Sequence, residues 1–192
     1  MKRDFGFRLE AHSTIDLEVV EGDIVKADTD LITNAANTGL IMGDGVAGAL
    51  LRAGGPEVQD GVIGSAPIEL GSAVLGPSGY LPCMGIVHGA VMGEDRQTND
   101  DLIYETTVAC LGFLGGGGYD SPDAPPWVHS IALPAFGTGV GGVDLDRCGE
   151  MMRYALTDAR LGSPSDDDVE WRVVIVLFGD EDYDKFIQGF LG

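Results

Sequence analysis

The chain has 192 residues, 44% of them hydrophobic, and a formal net charge of −20. This length allows a sizeable core, so we expect one domain spanning residues 1–192. No apolar run is long enough to cross a membrane, and the negative charge opposes binding to anionic membranes and direct binding to nucleic acid.

Cysteine usage and the N-terminal segment indicate a cytoplasmic protein. Cys83, Cys110 and Cys148 are odd in number and widely spaced, which fits reduced, mostly buried thiols. Residues 1–10 contain no apolar signal segment, no spacing indicates a metal site, and no cofactor is expected. The acidity could form an interaction surface, but we favour a halophilic interpretation, in which it maintains solubility in a salty cytosol.

Strand-like and helix-like segments alternate along the chain. Two strands are predicted between Phe5 and Glu21, where Ile15, Leu17 and Val19 alternate with acidic residues. Further strands are predicted at 31–34, 72–75, 86–90, 128–133 and 172–178, and helices at 46–53, 57–63, 98–114, 145–161 and 182–191. Surface loops are predicted at 115–126 and 163–170. This alternation is typical of an α/β domain with helices on both faces of its sheet.

The segment from Leu31 to Leu50 reads as a buried strand, a glycine-rich loop and a helix. Its glycines let a ligand approach the backbone amides, and the helix presents unpaired N–H groups and the positive end of its dipole. This combination favours a phosphate or diphosphate, while Asn34 and Asn37 suit sugar hydroxyls. Neither the Walker spacing nor the dinucleotide spacing is met, so a plain strand-to-helix turn remains an alternative.

A second loop of this kind, PAFGTGVGG at residues 134–142, also leads from a strand into a helix. In such folds both loops lie at the sheet edge where ligands bind. Asp23 either caps a short helical turn or accepts a hydrogen bond from a ligand amine. His88 is interpreted as a hydrogen-bonded core residue rather than a catalyst.

Four motifs occur in a characteristic order: Gly22-Asp23-Ile24, NAAN at 34–37, GDGVAGA at 43–49 and the loop at 134–142. Together with the strand containing His88, they resemble the macrodomain family over nearly the whole chain. The resemblance implies a single macro domain, built as a three-layer α/β/α sandwich with a mixed central sheet. It also implies that the partner is ADP-ribose or an ADP-ribosylated molecule.

The resemblance further implies a role for each motif. Asp23 would accept from the adenine amino group beside the Ile24 backbone, and Phe178 would pack on the adenine face. Asn37 would hydrogen-bond the distal ribose, and Asn34 would shape the pocket around that ribose. Around the diphosphate, the residues implied to bind are Gly43, Asp44, Gly45, Val46, Gly137, Thr138, Gly139, Val140 and Gly141. Pro134, at the start of the second loop, is also implied to bind the ligand.

Three positions depart from the family pattern. Ala47 stands where many macrodomain hydrolases carry Asp, Gly141 where many carry an aromatic residue, and Asp44 where Gly is usual. One interpretation is a hydrolase that releases ADP-ribose from protein side chains or acts on O-acetyl-ADP-ribose, with Asn37 as the catalytic candidate. The alternatives are a binding module without turnover and a phosphatase acting on ADP-ribose 1″-phosphate. The oligomeric state is open.

Overall fold

The computed structural model describes residues 4–10, 14–116, 128–159, 161 and 171–192. The strands of this part are β1 (Asp4–Glu10), β2 (Thr14–Glu21), β3 (Leu31–Asn37), β4 (Ala73–Gly76), β5 (Gly85–Met92), β6 (Ser130–Pro134) and β7 (Trp171–Leu177). Its α-helices are α1 (Gly45–Gly54), α2 (Glu57–Asp60), α3 (Asp100–Leu111), α4 (Leu145–Asp158) and α5 (Asp180–Leu191). Within these ranges no helix is long and apolar enough to cross a membrane.

The strands form one mixed sheet in the order β1-β2-β7-β6-β3-β5-β4. The five strands from β2 to β5 are parallel, while β1 and β4 pair antiparallel at the two edges. The central strands are buried on both faces, which explains why β5 reads as a run of small and apolar residues rather than an alternating pattern.

Helices cover both faces of the sheet, because neighbouring residues of each strand point to opposite sides. Leu31 packs in a cluster with α3, α4 and α5, whereas Ile32 packs in a second cluster with α1 and α2. The predicted three-layer α/β/α sandwich with a mixed central sheet is therefore confirmed.

Several element boundaries differ from the sequence prediction. The helix predicted at 57–63 is divided into α2 and a 3-10 turn at Ile63–Ser65. Helix α3 begins at Asp100 because Asn99 caps it, its Oδ1 accepting from the Leu102 backbone N–H at 2.9 Å. The predicted loop from residue 117 onward and the predicted acidic turn at 163–170 lie outside the described residues.

Candidate functional site

The carboxyl ends of the five parallel strands lie in a row along one edge of the sheet. Passing from β2 through β7, β6 and β3 to β5, this edge carries Asp23, Phe178, the loop at 134–142, the loop that begins at Asn37, and the segment after Met92. With strands about 4.8 Å apart, the row extends over roughly 19 Å. A long ligand could therefore contact all five strand ends at once.

A cleft of about 510 Å³ opens at the β6, β3 and β5 part of this edge. Both predicted glycine loops line it. The predicted site residues that line it are Asn37, Gly43, Asp44, Gly45, Val46, Gly137, Thr138, Gly139 and Val140. The predicted residues Asp23, Ile24, Asn34, Pro134, Gly141 and Phe178 lie outside this lining.

Asn37 holds the start of the first glycine loop in place. Its Nδ2 donates to the Ile41 carbonyl at 3.0 Å, and its Oδ1 accepts from the Ile41 N–H at 3.3 Å. An amide nitrogen carries two hydrogens, so one N–H remains for a ligand. Asn37 therefore combines a structural contact with a donor at the wall of the cleft.

Two glycines of the loops have free space where a side chain would begin. A Cβ added at Gly43 or at Gly139 would have no atom within 4 Å, and neither residue has a positive φ. Packing within the protein thus does not require glycine at either position. The bare backbone leaves its amides open to a molecule in the cleft.

At Gly137 and Gly141 the conformation and packing of the loop itself require glycine. Gly137 has a φ of +74°, and a Cβ at Gly141 would lie 2.5 Å from Thr98 Cγ2 and 2.7 Å from the Gly137 carbonyl oxygen. The loop therefore has no room for an aromatic side chain at Gly141.

The first turn of α1 points the positive end of its dipole at the cleft, because Gly45 and Val46 line it. Asp44 occupies the N-cap position but makes no side-chain capping hydrogen bond. It lines the cleft together with Glu94 and Arg96. The site thus combines dipoles and the Arg96 cation, which attract an anion, with two carboxylates, which oppose one.

Asp23 caps the 3-10 turn Ile24–Lys26, since its Oδ1 accepts from the Val25 N–H at 3.3 Å. The side chain remains 33% exposed, so the carboxylate is accessible for a second hydrogen bond. Phe178 follows β7, the strand beside β2, and is 84% exposed. Asp23 therefore caps the helical turn as one of the two predictions had it, and its exposed carboxylate can also accept a hydrogen bond from a ligand amine.

Asn34 lies inside the sheet rather than at the cleft. It is buried, and its Nδ2 lies 3.1 Å from Nδ1 of His88, which is also buried. Burial lowers the pKa of His88 to about 4, because the charged imidazolium would lose its hydration. His88 is therefore a neutral core residue, as its position in a buried strand predicts.

The segment after β5 forms a third wall that the sequence analysis missed. Met92, Gly93, Glu94 and Arg96 all line the cleft. The segment has no glycine-loop pattern, and the predicted strand ended two residues early, at Ala90. The segment reaches the cleft because β5 pairs in parallel with β3 and such strands end at the same edge. No local sequence pattern shows this pairing.

Comparison with known proteins identifies the family to which the chain is similar. A family model described as Macro domain matches residues 33–152. An uncharacterized protein of Mycobacterium tuberculosis is 40% identical over 168 residues, which cover 88% of this chain and 43% of that protein. The chain thus spans less than half the length of this relative. An Escherichia coli protein named O-acetyl-ADP-ribose deacetylase is 36% identical over 134 residues, 66% of this chain and 70% of that protein.

Solved structures agree on the fold. The Oceanobacillus iheyensis macrodomain with ADP has a TM-score of 0.77 at 23% identity and covers 100% of this chain and 96% of its own. A Trypanosoma brucei macrodomain in complex with ADP-ribose has a TM-score of 0.72 at 20% identity, covering 92% of this chain and 69% of its own.

Proposed function

This chain belongs to the Macro domain family, and on that premise we propose that its cleft binds ADP-ribose. The observation that carries the proposal is the pair of glycine loops facing one cleft, with free space above Gly43 and Gly139. Backbone amides and the N-terminus of α1 attract a diphosphate without lysine side chains. This solution suits a chain with a net charge of −20.

The row of strand ends supports one orientation of the ligand. The diphosphate lies between the glycine loops, which follow β3 and β6. The adenine then extends toward Asp23 and Phe178, at the ends of β2 and β7. Phe178 offers an exposed ring for stacking, and Asp23 an acceptor for the adenine amino group. The distal ribose lies on the Asn37 side.

We further propose that the protein hydrolyses ADP-ribosyl esters, on proteins or as O-acetyl-ADP-ribose. The name of the Escherichia coli relative supports this reaction class. Asn37 would hold the distal ribose with its free amide N–H while a water attacks. A binding module without turnover is the second candidate, and the residue that favours it is Ala47, which lines the cleft where an acid would be useful.

The test incubates the purified protein with O-acetyl-ADP-ribose and with mono-ADP-ribosylated protein, in about 0.1 M and in about 1 M salt. We expect release of product above the uncatalysed rate. Asn37→Ala should lower turnover about 100-fold, since a 1 Å misplacement of the reacting group can cost that much. Its affinity for free ADP-ribose should fall much less, because most contacts lie at the adenine and diphosphate.

Two results would each contradict a part of this proposal, the first the hydrolysis itself and the second the role of Asn37. The first is binding without product release by the parent protein, which would leave the binding module. The second is equal turnover by the parent and Asn37→Ala, which would show that Asn37 does not position the ribose.

A further inference from the structure

The segments that follow β3 and β5 run side by side at the end of the cleft where the distal ribose is proposed to bind. Asn37 pairs in register with Met92, and the Thr38 N–H donates to the Met92 carbonyl at 3.1 Å. Two residues further on, Gly39 and Glu94 are therefore neighbours. The backbone places Glu94 close to the residue proposed to hold the distal ribose.

The side chains of Asn37 and Glu94 converge on the space beside Gly39. A Cβ added at Gly39 would lie 3.3 Å from Asn37 Oδ1 and 3.5 Å from Glu94 Oε1. Both side chains also line the cleft. The Glu94 carboxylate is exposed, and no described residue engages it in a hydrogen bond or an ion pair. It is available to a water molecule or a ligand.

The lining of the cleft offers few other groups that can accept a proton. Among the described residues it contains no histidine, cysteine, lysine or tyrosine, and its two carboxylates belong to Asp44 and Glu94. Asp44 lies at the N-terminus of α1, where the diphosphate is proposed to bind. Glu94 is the carboxylate beside Asn37, on the ribose side.

We propose that Glu94 is the general base of this hydrolase and takes the place of the acidic side chain that is absent at position 47, where this chain has Ala47. The proposal rests on the ester hydrolysis proposed above. Glu94 removes a proton from a water molecule while the water oxygen bonds to the ester carbonyl carbon. The bond from that carbon to the ribose oxygen then breaks. The ribose oxygen takes the electron pair and receives the proton from Glu94, which returns to its carboxylate form.

The test compares Glu94→Gln with Asp95→Asn, its matched control. Asp95 is the next residue, is exposed, lies outside the cleft lining, and keeps a capping oxygen for the Gln97 N–H after the change. Both variants remove one negative charge from the same loop. O-acetyl-ADP-ribose is the substrate, and kcat, KM and the pH profile are measured, together with the Kd for ADP-ribose.

Glu94→Gln should lower kcat by about 100-fold or more, the range for general base catalysis. Its Kd for ADP-ribose should stay equal or improve, because a negative charge leaves the cleft. The pH–rate profile of the parent should contain a limb that reports a general base, and the variant should lack this limb. Asp95→Asn should keep the parent rate and pH profile.

The outcomes separate the two proposals. If the parent turns over the substrate and Glu94→Gln matches it in rate and pH profile, the base is wrong and the hydrolase stands. Equal losses in both variants would also overturn the assignment, since a general charge effect would then explain them. If the parent binds ADP-ribose but releases no product, both proposals fail.

Discussion

Replacing Gly139 with alanine should weaken ADP-ribose binding without unfolding the protein. The added Cβ meets no protein atom within 4 Å, and Gly139 has no positive φ, so the fold accepts it. Less freedom in the unfolded chain should leave the free energy of unfolding unchanged or up to about 1 kcal/mol higher. In the proposed complex, however, the methyl group occupies space that the diphosphate needs.

The expected loss follows from the hydrogen bond that the methyl group displaces. One hydrogen bond to a charged group contributes about 1.5–3 kcal/mol. Losing it should raise the Kd about 10- to 150-fold, at 1.4 kcal/mol for each factor of ten. Calorimetry with ADP-ribose measures the Kd, and urea unfolding measures the stability.

Gly64→Ala is the matched control. Gly64 also has free space and no positive φ, but it lies outside the cleft lining. This variant should bind ADP-ribose like the parent protein. If Gly139→Ala binds ADP-ribose as tightly as the parent protein, the reasoning is refuted, because the result would mean that this loop does not contact the diphosphate.

Two further predictions concern single side chains. Asp23→Ala should weaken ADP-ribose binding by about 1.5–3 kcal/mol and lower the free energy of unfolding by about 1 kcal/mol, because the cap of the 3-10 turn is lost. Asp23→Asn should keep more of the stability. If calorimetry finds unchanged affinity in both variants, Asp23 has only its capping role. Burial lowers the pKa of His88 to about 4, so between about pH 6.5 and about pH 4 the unfolded chain binds the proton and the folded protein does not. The free energy of unfolding should therefore fall as the pH drops through this window, by roughly 3 kcal/mol in all. His88→Gln should remove that share of the pH dependence in urea unfolding at about pH 7 and about pH 4.5, and an unchanged slope would be evidence against it.

The fold class could be predicted because local patterns determine it. The segment that begins at Leu31 shows a buried strand, a loop rich in glycine and a helix within twenty residues, and each part is visible in its own composition. Strand order could not be read in the same way. β2 lies beside β7, and residues such as Ile15 and Trp171 become neighbours only in the folded sheet.

The same limit explains which parts of the site were missed. The glycine loops carry their signal in the sequence, whereas Glu94 and Arg96 reach the cleft because β5 pairs with β3. Asn34 belongs to the same motif as Asn37, yet its partner His88 is 54 residues away along the chain. Short motifs thus indicated the loops, but the pairing of distant strands decided which side chains face the cleft.

Calorimetric titration of the parent protein with ADP-ribose, beside AMP, tests the central claim most directly. ADP-ribose and AMP share the adenosine and one phosphate, so their difference reports the second phosphate and the distal ribose at the glycine loops and Asn37. The account predicts saturable binding of ADP-ribose and weaker binding of AMP. No binding of ADP-ribose at millimolar concentration, in dilute or in molar salt, would contradict it.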